Sequence, residues 1–189
     1  EYSDFSAVAV TDFSGLGVSV GVVASLRANL GVAASLRAGT RLKATRSAGP
    51  QARVSLPLEF GAGARYAPVP GISLAGTVTY AGWGRAADDL VAAGESRSRD
   101  AWSIGAGLDV ERLDLGAVRL PLRFGYRWRQ LPFPVGGAQL DEHAFAGGLG
   151  FTMAGGRTSV DLGLERGART AGAQRETFTT GWLGVTVRP

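Results

Sequence analysis

Large apolar side chains alternate with small or charged ones, at a period of two, along most of the chain. The clearest stretch is RLPLRFGYRWRQ at 119–130. Arg119, Arg123, Arg127 and Arg129 share one parity, and Leu120, Leu122, Phe124, Tyr126 and Trp128 share the other. Successive side chains of a strand point to opposite faces, so an extended segment has one arginine face and one apolar face. A helix would scatter both sets around its axis. The same parity predicts strands over 15–26, 30–43, 54–66, 72–83, 102–111, 143–153 and 158–166, a less regular one over 176–188 and a weak one over 5–12. About ten antiparallel strands and no helix follow from this pattern.

The connections add an asymmetry. RAN after Leu26, APVPG at 67–71, RLDLGA at 112–117 and AGGR at 154–157 are short and turn-like. Longer polar segments fall between them, at 44–51, 84–99, 130–141 and 167–176, with residues 12–15 the exception to the alternation of short and long. An up-and-down meander of this kind has tight turns at one end and long loops at the other. Outer-membrane barrels have that form, with short periplasmic turns and longer external loops. The segments at 84–99, 130–141 and 167–176 are therefore expected outside. Soluble sandwiches and lipocalin-like barrels also alternate, but their strands usually run about 5–6 residues, whereas membrane strands need about 9–11. The expected strands here are of the longer kind. Trp83, Trp102 and Trp128 lie beside long loops; with Tyr126 they form the candidate lipid-facing aromatic girdle.

Composition narrows the picture. The 189 residues include 29 Gly, one Met and no Cys, and carry only 19% charged side chains. That length suits a single domain over 1–189, or a portion of one. Mean hydropathy is +0.08, yet no run approaches the roughly 18 apolar residues of a membrane helix. Without Cys, disulfides and thiolate metal sites are excluded. The net charge of +4 is spread through the alternating pattern and not gathered into a patch, which speaks against nucleic acid as a partner. With no leader read ahead of Glu1, the chain is expected to be cytosolic, processed, or a piece of a longer protein.

The charged parity is the strongest constellation. Arg37, Arg41, Lys43, Glu59, Arg65, Asp109, Glu111, Arg119, Arg123, Arg127, Asp161 and Glu165 are the candidate lumen-facing residues. Buried charges must be paired or hydrated, so both signs facing one lumen make physical sense. Two roles are open to them: guiding a solute's carboxylate, or an ion-pair lattice that fills the interior of a narrow barrel. Other motifs carry less. GVSVG at 17–21 fits a serine-nucleophile pattern, but Ser19 lies in an uninterrupted strand with no following helix to form the elbow. His143, the only histidine, sits in DEH at 141–143 and reads as a solvated loop end. It offers one imidazole beside two adjacent carboxylates, but neighbours in an extended strand point apart and cannot converge on one metal. GGLG at 147–150 has no helix after it to hold a phosphate; small residues there let another segment approach closely. No catalytic residue, metal or cofactor is expected.

GLGVSVGVVASLRANLGVAASLRAG and LPLEFGAGARYAPVPGISLAGTVTYAGWG resemble the middle of the FadL-type outer-membrane transporters of long-chain fatty acids and hydrocarbons. PLRFGYRWRQLPFPVGGAQLDEHAFAGGLGFTMAGGRTSVDLGLERG resembles the final third of that family, and the likeness spans roughly 15–188. It implies a 14-stranded barrel in the outer membrane with an N-terminal hatch. Its partners would be outer-membrane lipid and a hydrophobic small molecule, which crosses by passive diffusion with no enzymatic step. The chain departs from the family in its smaller strand number, in showing no hatch or Asn-Pro-Ala motif, and in ending TVRP without a terminal aromatic. The resemblance therefore implies the C-terminal portion of such a barrel or a shortened relative. A structural or secretion-associated barrel and a barrel hydrolase are the alternatives.

Overall fold

The computed structural model describes residues 11–46, 52–115, 118–153 and 158–187. Strands dominate. In chain order they are β1 (Thr11–Ser14), β2 (Gly17–Arg27), β3 (Leu30–Gly39), β4 (Arg41–Arg46), β5 (Ala52–Ser55), β6 (Glu59–Val69), β7 (Ile72–Ala81), β8 (Ala101–Leu115), β9 (Val118–Val135), β10 (Ala138–Met153), β11 (Thr158–Ala171) and β12 (Gln174–Val187). Nine form one antiparallel sheet, in the order β12-β11-β10-β9-β8-β7-β6-β3-β2, and β1-β4-β5 form a second, smaller sheet. The large sheet is an up-and-down meander. The small one interrupts it only by carrying the β3–β6 connection outward as a hairpin, with β1 alongside.

The strand expected over 30–43 is thus two, β3 and β4, broken at Thr40, whose hydroxyl and amide bond the backbone of Leu16. The weak strand over 5–12 lies largely outside the described residues, as do most of the longer segment at 44–51 and all of the turn at 154–157; the turn expected over 112–117 is strand through Leu115, with residues 116–117 outside the described residues. The absence of helix does not hold in the loop over 84–99. There a 3₁₀ turn at Trp83–Ala86 leads into a short helix, α1 (Ala87–Ala92), with Asp88 and Asp89 in its first turn, where the helix dipole favours acids.

Two expected long loops are strand instead. Residues 130–141 and 167–176 continue β9 into β10 and β11 into β12 through two-residue turns. Gly136 and Gly137 both have positive φ, at 58° and 81°, and Gly172 has φ 57°. Only turns of this hand match the right-handed twist of the strands they join. Pro132 and Pro134 are tolerated because β9 has outrun β8 there: β8 begins at Ala101 and its register reaches Arg129 through Ser103. No ladder bond is lost on that side.

Register turns sequence parity into two continuous faces. One row runs Val110–Leu122–Leu149–Leu162–Leu183 across β8 to β12; another runs Val20–Leu36–Phe60–Tyr80–Trp102 across β2 to β8. The opposite face carries Ser103–Arg129–Glu142–Arg169–Glu176.

The burial pattern is inverted relative to a soluble sheet protein. Apart from Pro57, the buried apolar side chains among the described residues are alanines, while Phe145 is 68% and Leu183 67% exposed. Among the described residues the largest fully buried side chain is that of Glu142.

Candidate functional site

The charged face is built on β8 to β12. Small residues on β10 make it possible. Ala144, Ala146, Gly148 and Gly150 share its inner parity, opposite Arg127, Gly125 and Arg123 of β9 and Gly167, Glu165, Gly163 and Asp161 of β11. A trough results, and β9 arginines reach across it to β11 carboxylates. Arg127 Nη2 donates to Glu165 Oε1 at 3.0 Å, and Arg123 Nη1 donates to Asp161 Oδ1 at 3.2 Å. A Cβ on Gly150 would lie 2.7 Å from Asp161 Oδ1, so glycine is what leaves this carboxylate its place.

Glu142 is the hub. Its Oε1 accepts from Arg127 Nη2 at 3.0 Å, and its Oε2 accepts from Arg129 Nη2 at 3.0 Å and Arg169 Nε at 2.7 Å. A carboxylate withdrawn from solvent is tolerable only when paired and hydrogen-bonded, and three charge-assisted bonds meet that requirement. The three guanidiniums leave two positive charges over, which Glu165 and Glu176 offset; Glu176 lies 3.6 Å from Arg169. Arg169 also lies over the Phe178 ring at 4.9 Å from its centroid, a cation–π geometry. Toward the other end, Arg123 pairs Asp109 at 3.5 Å, and Arg65 pairs Glu111 at 3.7 Å and bonds Ser73; Arg37 pairs Glu59 at 3.7 Å at the same end of the sheet as Glu142.

The structure therefore brings five of the candidates onto one face in two clusters, Arg123 with Asp109 and Asp161, and Arg127 with Glu165 around Glu142, with Arg65 beside the first and Arg37–Glu59 apart near the β2 edge. Two of the candidates are not with them. Arg41 belongs to the small sheet, opposite Ser55, as does Lys43, opposite Arg53. Arg119 takes its place in β9 opposite Asp114; its side chain lies outside the described residues.

Glu142, Arg169 and Glu176 were missed because they fell in or beside segments read as loops. Continuing the β10 alternation backward from Ala144 would have found Glu142.

The aromatic candidates divide. Trp102, Trp128 and Tyr126 share the apolar face at neighbouring levels, with Tyr80 4.9 Å from Trp102 and Phe145 4.9 Å from Tyr126 between ring centroids. Trp83 is not among them. It sits on the 3₁₀ turn against Phe133, 5.5 Å between centroids, and Phe133 has the parity of the charged face. His143 is no loop end: it lies in β10 on the apolar parity, with Nδ1 2.7 Å from the Tyr126 hydroxyl. Ser19 and His143 are on opposite faces with five strands between them, β3, β6, β7, β8 and β9. Among the described residues no three His, Asp or Glu side chains are grouped to hold a metal.

The loop between β7 and β8 closes over one end of this face. Asp89 accepts from the Ser55 amide at 2.8 Å and hydroxyl at 2.6 Å. These two bonds, helped by the charge of Arg41, hold its carboxyl below the usual aspartate range. Asp100 accepts from Tyr80 and from the Gly84 amide, and Arg99 bonds Pro132 and Gly137 carbonyls. Beneath lies an open cavity of about 360 Å³ lined by Leu16, Leu42, Leu56 and Trp83, with Arg37 and Glu59 on one side. A search of protein families and of curated proteins finds no match for the chain.

Proposed function

We propose that this chain is the lipid-facing wall of an outer-membrane β-barrel that passes long-chain fatty acids or other hydrophobic small molecules by passive diffusion. The observation that carries the membrane reading is the inverted burial: a carboxylate as the largest fully buried side chain, and exposed rows of Leu, Phe, Val and Trp on the opposite face. Water would not tolerate so extensive an apolar surface, whereas a bilayer supplies the missing apolar phase. A closed barrel then satisfies every backbone group. The substrate class rests on the family resemblance, and the cavity beside Trp83 suits it. Leu16, Leu42 and Leu56 offer contact to an alkyl chain, and the Arg37–Glu59 pair offers contact to a polar head.

Cells lacking the protein should take up labelled long-chain fatty acid several-fold more slowly, recover it chemically unchanged, and show no change in sugar uptake. The ion-pair network favours a second reading, a structural or secretion-associated barrel whose braced interior is a scaffold. Unchanged fatty-acid uptake with loss of another envelope property would select it.

A further inference from the structure

We propose that the outward face of β10 to β12, at its hairpin end, binds the phosphate of a membrane lipid through Arg166 and Arg175, with His143 beside them. The proposal rests on the membrane reading above. It concerns the outside of the wall and not the cavity beside Trp83.

Register divides this face into two zones. Toward the tight turns, the rows Phe124–Gly147–Leu164–Gly181 and Leu122–Leu149–Leu162–Leu183 are wholly apolar or glycine. Toward the β9–β10 and β11–β12 hairpins the same parity changes character. The next rows are Tyr126–Phe145–Arg166–Thr179, Trp128–His143–Ala168–Thr177 and Gln130–Asp141–Thr170–Arg175. The paired outward positions of β3, β6, β7 and β9 carry no charged side chain. Outward charge is therefore gathered on three neighbouring strands.

Arg166 begins the polar zone. Its ladder neighbours are Phe145 and Thr179, and one row deeper lie only Gly147, Leu164 and Gly181. The guanidinium thus stands where the hydrocarbon ends, the depth that interfacial aromatic rings share with lipid headgroups.

Pairing supplies the second observation. On the inner face Arg37, Arg65, Arg123, Arg127, Arg129 and Arg169 each have a carboxylate within 3.7 Å. Arg166 and Arg175 are exposed, and among the described residues neither makes an ion pair or a side-chain hydrogen bond. A cation at the membrane boundary calls for a counter-charge. A lipid phosphate provides it, because its oxygens accept the parallel N–H groups of a guanidinium. The Tyr126 hydroxyl occupies Nδ1 of His143 at 2.7 Å, which leaves Nε2 for a phosphate oxygen or a headgroup hydroxyl. Asp141 is the one acid among the described outward residues of this patch. It lies in the outermost row, two rows beyond Arg166, so the phosphate seats on the Arg166 side. The acyl chains then run down the exposed Leu149, Leu162, Leu164 and Leu183.

The test uses the whole protein, extracted from its membrane in neutral detergent and treated with phenylglyoxal, with each arginine followed by peptide mass spectrometry. Dioleoyl phosphatidate, dioleoyl phosphatidylcholine and inorganic phosphate are added separately at equal concentration. Phosphatidate should slow modification of Arg166 and Arg175 by about five-fold or more, relative to Arg97 in the β7–β8 loop, and the other two should slow it little. In native mass spectra the double variant Arg166→Gln, Arg175→Gln should lose the phosphatidate adduct of the parent. No protection by phosphatidate, equal protection by phosphatidylcholine, or an adduct unchanged in the double variant overturns the proposal. Equal protection by inorganic phosphate also overturns it, by showing a site for the free ion. Protein that stays monodisperse after detergent is removed refutes the membrane reading itself, which separates the two failures.

Discussion

The inner faces of the two halves of the sheet are built differently. On β8 to β12 arginines and carboxylates face one another across the alanines and glycines of β10, and Glu142 alone receives three guanidiniums. On β2, β3, β6 and β7 the same parity carries mostly small residues, Ser19, Gly21, Ser25, Gly31, Ala33, Ser35, Gly61, Gly63, Thr77 and Thr79, with Val23 the one larger apolar side chain among them and the Arg37–Glu59 and Arg65–Glu111 pairs toward opposite ends. The outer faces do not differ in this way: both carry an apolar band. One half therefore holds its strands together with side-chain bridges, and the other keeps its interior clear, with an open cavity of about 330 Å³ between Ser19, Ser35, Arg37, Gly61 and Thr79. Bracing and clearance are separated along the sheet.

That contrast is broken most severely at its hub. Glu142→Ala leaves Arg127, Arg129 and Arg169 facing one another, and removing one member of a buried charge cluster costs about 3–5 kcal/mol. Reduced folded yield and a lower urea midpoint in detergent should follow, while Glu59→Ala, whose partner Arg37 is well exposed, should shift the midpoint little.

The next effect is on the outer face. Arg near the bilayer midplane on the lipid side costs roughly 2–4 kcal/mol, and lumen substitutions are much milder. Leu122→Arg should block folding into vesicles, whereas Arg123→Leu should fold with only the bridges to Asp109 and Asp161 lost.

A smaller effect compares glycines. Gly150→Ala pushes on Asp161 and Pro121, an overpacking of about 1–3 kcal/mol. Gly21→Ala in the clear half meets only an ordinary contact with the Ala34 carbonyl and should leave the unfolding midpoint nearly unchanged.

The smallest concerns the loop that spans both halves. Asp89 is held ionised by Ser55, so its anchoring is present above the ordinary aspartate range, near pH 4, and is lost as pH falls through its lowered value. Pepsin should cut residues 93–99 faster as pH drops from 4 to 2, relative to a reference loop. Asp89→Asn should show fast cutting throughout and no such dependence.

Parity made the two faces of β2, β3 and β6 to β11 legible because a strand admits no other side-chain period. It failed where local chemistry contradicts the face. On β12, Phe178 and Trp182 occupy the charged parity, and the alternation over 176–188 looks irregular for that reason. Both rings lie over glycines of β11, Gly167 and Gly163, where a Cβ would collide with them; this pairing of aromatic against glycine shows only once the register is known. Pro132, Pro134 and the Gly136–Gly137 turn carry loop composition, and the fact that permits them, β9 outrunning β8, is a property of strand ends in space. Trp83 was assigned to the wrong face because a 3₁₀ turn follows Gly82, and local sequence gave no period from which to read it.

The central claim is that the apolar parity of the sheet faces lipid. The most direct measurement attaches one fluorophore to a single cysteine at Leu122, Arg123 or Phe124 in vesicle-inserted protein and adds a lipid-soluble quencher. The account predicts strong quenching at 122 and 124 and little at 123. Equal protection at all three positions would contradict it.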